Sequence, residues 1–418
     1  MFINYSNAQQ KDAASKIAEK AGGSLPIGLG ATFIDGETFY LINITPELAI
    51  GNLGFGLDLN LRFNTKGKIR PGDYEKFEDY LRILRYVRWA QKGDPFYIRV
   101  GQLDYSLLGH GSIIYNYRNS ASYDLRKTGI ELDLNFEKYG FESMYSDLTG
   151  RGILGLRGYV KPLKLTPMAK VPVINNFEVG FTYARDLHRD ADFTSIDSSG
   201  RGLTIIGFDL GLPVISYPIF KTSLYLDYAQ IIHYGHGTTM GVNMNFSGLG
   251  LLNIRGKYEL RFNGTQFMPA YFNALYEKDR FDPAIRRSKS EGLKNVASTR
   301  GYYGEIILSV LGTLNIITGY QAPFNNHNQG MIHSELQLPE IACIVLRGAY
   351  DKTNVGRVFV LDNFSILSAE IGYKPMPYLM VSTLYQRTFS NRGPDGKPLD
   401  RYVAQDRVEP KVSLVFEF

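Results

Sequence analysis

Apolar and polar side chains alternate at every second position through most of this chain. Phe55, Leu57, Leu59, Leu61 and Phe63 alternate with Gly56, Asp58, Asn60 and Arg62, and Ile130, Leu132, Leu134 and Phe136 with Glu131, Asp133 and Asn135. In the clearest run Leu252, Ile254, Tyr258, Leu260 and Phe262 oppose Asn253, Arg255, Lys257, Glu259 and Arg261. A period of two places successive side chains on opposite faces of a β-strand. The pattern predicts strands near 26–34, 38–49, 53–64, 82–90, 95–103, 128–136, 139–147 and 152–161. It continues near 175–185, 201–211, 219–230, 236–246, 250–261, 301–310, 313–321, 331–338, 341–351, 365–373, 377–388 and 408–418. These make about 20 strands, with counts of about 16 to 20 compatible, because the first strand is weak and the connection 162–174 is long where a short turn is due.

The one stretch that invites a membrane-helix reading, 306–320 (IILSVLGTLNIITGY), is shorter than the ~20 residues a helical span needs. Its β-branched residues and central Gly312-Thr313 predict a hairpin instead. A soluble β-sandwich alternates too. Strands of roughly ten residues, aromatic ends such as Tyr183, Tyr258, Tyr320, Tyr350 and Tyr373, and no helical pattern long enough to cover a sheet favour a barrel in a membrane. Connections alternate short with long, as barrel turns and outer loops do. The expected fold is all-β: a single closed antiparallel transmembrane β-barrel over 26–418, with short periplasmic turns, long extracellular loops and both termini periplasmic.

Composition agrees with that reading. The chain has 29 Tyr, 25 Phe and 43 Gly, residues suited to strands with aromatic girdles. Its 46 basic and 41 acidic residues nearly cancel, leaving +5 and no field of the kind that binds nucleic acid. Cys343 is the only cysteine, so it forms no internal disulfide, and its neighbours in IACIVL predict a buried or lipid-facing thiol.

At the C-terminus Val412, Leu414, Phe416 and Phe418 line one face, and Lys411, Ser413, Val415 and Glu417 the other. This run of about ten residues resembles the terminal strand of bacterial outer-membrane proteins. The resemblance implies an outer-membrane location and recognition by the barrel-assembly machinery, and it selects no subfamily. At the other end, residues 1–25 read as a tail. Ser6-Asn7-Ala8 before Gln9-Gln10 has the small residues of a signal-peptidase site, so the tail is expected to carry a signal-peptide remnant. The Ala-rich stretch 8–21 has the propensity for a short helix. No plug domain of the kind a TonB-dependent transporter carries is expected before the barrel.

No catalytic spacing stands out. None of the six histidines falls in a metal-ligand pattern, and no metal or cofactor is expected. His110, Ser112 and Asp104 superficially offer a hydrolase trio, but closeness in sequence is not catalytic geometry. His233 and His236 fall in a predicted outer turn. The charged inward faces matter more. They place Asp58, Arg62, Arg99, Glu131, Asp133, Arg157, Glu178, Asp209, Asp227, Arg255, Lys257, Glu259, Arg261, Glu305, Glu335, Arg347 and Glu370 in the lumen, where water or close pairing must satisfy them.

The predicted loop 104–127 is unusually apolar, and Leu107, Leu108, His110, Ile113, Ile114, Tyr115, Tyr117 and Arg118 are candidates for a folded-in constriction, with a packed outer cap as the alternative. In the loop 263–300, FMPAYFNALY predicts a short helix, and the basic residues after it predict a solvated face or a lipopolysaccharide contact. The expected activity is passive diffusion of small polar solutes through a charged lumen. The alternative is a non-conducting barrel that binds at the surface, with a barrel-borne hydrolase a distant third. Expected partners are outer-membrane lipids, lipopolysaccharide, the assembly machinery and the solutes.

Overall fold

The computed structural model describes residues 22–34, 37–70, 73–120, 126–150, 152–187, 202–248, 251–282, 287–311, 314–341, 343–392 and 398–417. The signal-peptidase site, the Ala-rich stretch 8–21, Gly312-Thr313 and Phe418 lie outside them.

One antiparallel sheet closes on itself. Each strand pairs with its sequence neighbour, and Gly22–Ile34 pairs with Pro398–Glu417 to seal the wall, Leu25 opposite Phe416 and Gly30 opposite Lys411. The sheet has 22 segments, but two wall strands are each broken once, at Thr45-Pro46 and at Asp58, so the wall has 20 strands. Proline has no N–H to give a ladder, which accounts for the first break.

Alternation in exposure follows alternation in sequence. Tyr258 and Phe262 are exposed at 45% and 40%, whereas Lys257, Glu259 and Arg261 between and beside them are buried at 6% or less. The same inversion runs round the barrel: Leu29, Tyr40, Phe208, Leu224, Met240, Ile306, Ile371 and Val412 are all exposed on the outer face. A soluble protein does not leave so wide an apolar belt in water, and a belt of this kind with polar residues inside is what hydrocarbon requires of a barrel. No described helix is long and apolar enough to cross a membrane. Replacing outward-facing Ile306, 60% exposed, with Arg is therefore expected to destabilise the folded barrel by about 2–4 kcal/mol in lipid. Urea unfolding in lipid vesicles measures this, and an unchanged midpoint would contradict a lipid-facing wall.

Short connections gather at one end, as at Gly51-Asn52 and Pro377-Tyr378, and long ones at the other. The exception expected from the sequence is present: between Ile153–Val160 and Glu178–Asp186 the short-turn end carries three 3-10 turns, Pro162–Leu165, Pro167–Lys170 and Ile174–Asn176.

Three local expectations are corrected. The closing strand begins at Pro398, about ten residues before the expected start, because 398–407 extends the ladder beyond the apolar belt, held by Arg387 on Asp406 at 2.6 Å. The first strand begins at Gly22. The buried alternative for Cys343 is excluded, since the apolar run around it spans a turn between Met331–Ile341 and Ile344–Thr353 in which Cys343 is exposed with φ +69°.

Candidate functional site

The lumen contains a plug made from two long loops. The first leaves the wall after Phe96–Gly101 and returns at Gly129–Asn135; the second joins Leu252–Asn263 to Thr299–Val310. Their apolar residues explain the infolding, because neither loop buries them alone. Leu108, Ile113, Ile114 and Tyr117 of the first pack with Phe267, Tyr271, Phe272 and Tyr276 of the second, and inward wall residues Met144, Ile153, Leu203, Ile205 and Ile231 complete the cluster. The backbones are also zipped together: Tyr115 N–H donates to Phe272 O at 3.0 Å, Phe272 N–H to Ile113 O at 3.1 Å, and Ala270 N–H to Ser112 O at 2.8 Å. The expected helix in FMPAYFNALY is confined to its end, Tyr276–Asp279; the rest is drawn out to make these bonds.

The first loop is pinned across the lumen to strands on widely separated parts of the wall. Gly109 N–H donates to Glu142 at 2.8 Å, Tyr115 Oη to Glu305 at 2.7 Å, and Lys257 Nζ to His110 O at 2.6 Å. Ser112 bonds to Asp227 and Tyr105 to Glu335. Arg118 reaches Asp351 at 3.4 Å and Glu335 at 3.5 Å and lies over the Tyr105 ring. Every constriction candidate named from the sequence is thus inside the barrel; Leu107, Leu108, Ile113, Ile114, Tyr115 and Tyr117 are buried, and His110 and Arg118 half-buried.

All of the inward charges expected from the sequence lie on the lumen face, yet most of them pair closely. Arg157, fully buried, meets Glu142 at 3.3 Å, Glu178 at 2.8 Å and Asp209 at 2.6 Å. Gly109, with φ +58°, sits on this guanidinium, and a Cβ there would come 2.8 Å from Arg157 Nε. Lys257 pairs with Glu259 at 3.0 Å and lies 4.1 Å from the Tyr115 ring centre, while Arg261 pairs with Glu259 at 2.5 Å. Arg62 is held by Asp73 and Glu409, Lys92 reaches Asp133 and Glu131, and Arg126 bonds Asp58. Arg99 faces Asp104 at 3.7 Å, and half-buried Arg255 lies within Coulombic reach of Glu305. Arg347 is the exception, with a side chain 51% exposed beside Glu370 at 2.8 Å. Close pairing therefore engages most charges of the plugged part, and a charged surface open to solvent persists at Arg347.

The hydrolase trio is not brought together. Asp104 faces Arg99, Ser112 bonds Asp227, and the His110 ring stacks on Tyr225 at 4.2 Å. His233 and His236 are exposed at their turn. Among the described residues no group of His, Cys, Asp and Glu is placed to hold a metal.

What the sequence did not reveal is the second loop's inward position. Arg280, expected at a solvated face, is buried on Asp186 at 2.5 Å, and Glu277 receives Tyr117 at 2.5 Å and Lys127 at 2.8 Å. Lys294 and Arg300 are exposed as expected. Eight apolar or aromatic residues in FMPAYFNALY carried the only available signal.

Between the second loop and wall strands from Leu252–Asn263 to Ile344–Thr353 there remains a cavity of about 470 Å³. A smaller space of about 30 Å³ shares Arg261, Ala270, Asn273, Gln321 and Met331 with it and reaches Tyr115, Tyr303, His333 and Asp351.

No known family's profile matches the chain, and no curated protein does. Among solved structures it is similar to Pseudomonas aeruginosa OccK5 (OpdH), at 11% identity and a TM-score of 0.33 over 96% of this chain and 99% of that one. It is similar to P. aeruginosa OpdK, solved with vanillate, at 10% identity and 0.34 over 96% and 99%. With CdiB from Acinetobacter baumannii it shares 9% identity and a TM-score of 0.29 over 94% of this chain, and it spans 60% of CdiB's length. The closed wall, its apolar belt and its polar interior are those of a transmembrane β-barrel.

Burial within the plug gives His110 a pH dependence. Removal from water, with Arg157 and Lys257 nearby, outweighs Asp209 and Glu259 and lowers its pKa to about 4. The packed loop therefore holds neutral His110, and a released loop takes up a proton below the ordinary value near 6.5. Plug stability contributed by this group is fully present above that value, falls as pH drops towards 4, and levels off below it, the loss reaching roughly 3–4 kcal/mol. Hydrogen exchange at the Tyr115 and Phe272 amides, corrected for intrinsic rates, is expected to accelerate between pH 7 and 4.5, and far less in His110→Gln. Equal acceleration in both would remove His110 from the account.

Proposed function

We propose that the chain is an outer-membrane channel through which small polar solutes diffuse passively, without turnover or cofactor. The observation that carries this reading is the cavity of about 470 Å³ between plug and wall, together with the narrower space of about 30 Å³ that borders Tyr115, Tyr303 and His333. Solute enters at the long-loop end, passes the edge of the plug, and leaves past solvent-open Arg347 and its partner Glu370. In this orientation the long loops are extracellular, beside lipopolysaccharide, and both termini are periplasmic. Val412, Leu414, Phe416 and Phe418 present the closing strand to the assembly machinery. The inward charges and the loop residues from Leu107 to Arg118 set size and charge preference at the narrowest section.

Planar-bilayer recording of the purified protein tests the proposal: reproducible conductance steps are expected, and their absence from folded protein rejects it. The second reading, a non-conducting surface-binding barrel, is favoured by one observation, the dry core of the plug in which Ile114 and Phe272 have no exposed surface. Folded protein that inserts and never conducts selects that reading.

A further inference from the structure

The cavity between the second loop and the wall is unlike the rest of the lumen in its charge. The most deeply buried cations of the lumen are committed: Arg157 to three carboxylates, Arg280 to Asp186, Lys257 and Arg261 to Glu259. Lys289 and Arg287 both line the cavity, and neither pairs with a carboxylate of the described residues. Lys289 Nζ donates to Tyr271 O at 3.0 Å and lies 4.9 Å and 5.0 Å from the ring centres of Tyr271 and Tyr276. A carbonyl and two ring faces stabilise an ammonium without neutralising it. The one acid among the lining residues, Asp279, is engaged by Lys278 at 2.5 Å. Arg261, also lining, is held by Glu259 and Gln321. Two cations are therefore left for whatever occupies the space.

The rest of the lining is mostly apolar and aromatic. Phe267, Met331 and Phe364 form walls, with Tyr302 and Tyr402 at the edges. Pockets of a few hundred Å³ with an apolar lining and a few convergent polar groups are the usual form of a small-molecule site, and about 470 Å³ is within that range. An inorganic anion would satisfy the cations and leave the apolar walls unused. A neutral apolar solute would do the reverse.

We propose that this cavity is a binding site for small amphiphilic monoanions, with the acid group on Lys289 and Arg287 and the apolar body against Phe267, Met331 and Phe364. As a statement about the transported substrate this rests on the channel reading; as a statement about binding it stands apart from it. Lys289 is also poised to respond. Its removal from water, with Lys278 nearby, outweighs Asp279 and lowers its pKa to about 8. A bound anion favours the charged form, so affinity falls as pH rises through that value. Lys278, Asp279, Tyr271 and Tyr276 face the same ammonium, and Arg287 lines the same cavity.

The test is calorimetric titration of the full barrel in a neutral detergent with hexanoate and hexane-1-sulfonate, and with hexylammonium and hexan-1-ol as matched controls. Both anions are expected to bind once per chain and at least ten-fold more tightly than either control. Lys289→Met with Arg287→Ser is expected to lose that preference, and Lys289→Arg to keep it while removing the decline between pH 7 and 9.5. Heat-modifiable migration shows that each variant is folded. Equal binding of hexanoate and hexan-1-ol, or unchanged affinity in the folded double variant, overturns the proposal. Binding without conductance leaves the site standing and rejects the channel; conductance without binding does the opposite.

Discussion

Replacing residues 107–116 with a short Gly-Ser linker is expected to raise single-channel conductance several-fold while the barrel remains folded. The wall does not depend on this segment, since its ladders run from strand to neighbouring strand and close through Gly22–Ile34 and Pro398–Glu417. The plug does. The deletion removes Leu107, Leu108, Ile113, Ile114 and Tyr115, and with them the three backbone bonds that hold Ala270 and Phe272. The second loop then loses its partner for Phe272, so the effect exceeds the volume removed. Glu142, Asp227 and Glu305 lose plug donors but gain water, which solvates a carboxylate at little cost. A folded variant with unchanged conductance would show that the first loop is not the constriction.

The wall was legible because its two faces meet different surroundings. Lys257, Glu259 and Arg261 against Tyr258 and Phe262 state that difference in five residues, and the same parity places Asp58, Glu131, Asp209, Glu305 and Arg347 inside. Breaks in the parity are local: Thr45-Pro46 interrupts one strand, and 398–407 continues another after the apolar alternation has ended. The plug was half legible. Apolar residues from Leu107 to Tyr117 mark the first loop as something other than solvent-exposed chain. Its seat on Arg157 and its pairing with Phe272 join residues far apart in sequence, and no local period encodes a contact of that range. The second loop was masked by its own charges. Arg280, Arg287 and Lys289 look like a solvated face until Asp186 is found against the first and the cavity against the other two.

Arg157 is where one substitution is expected to cost most. It has no exposed surface and three carboxylates around it, on strands Tyr139–Tyr145, Glu178–Asp186 and Leu203–Ser216, with Gly109 of the plug above. Arg157→Met keeps much of the side-chain volume and removes the guanidinium that Glu142, Glu178 and Asp209 share, with Lys161 still 3.7 Å from Glu178. Breaking a buried pair by removing one partner costs about 3–5 kcal/mol, and here several acids are left together. Denaturant unfolding in lipid is expected to show a loss of at least that size, with the first loop losing protection from exchange before the wall does. The control is Arg347→Met. Arg347 also faces the lumen and pairs with an acid, but its side chain is 51% exposed, and an exposed pair contributes about 1 kcal/mol or less. If Glu142→Gln and Asp209→Asn in the Arg157→Met background recover most of the loss, the cost is the uncompensated charge. If they recover nothing, the guanidinium acts by packing beneath Gly109, and the network is a scaffold for the plug before it is an electrostatic one.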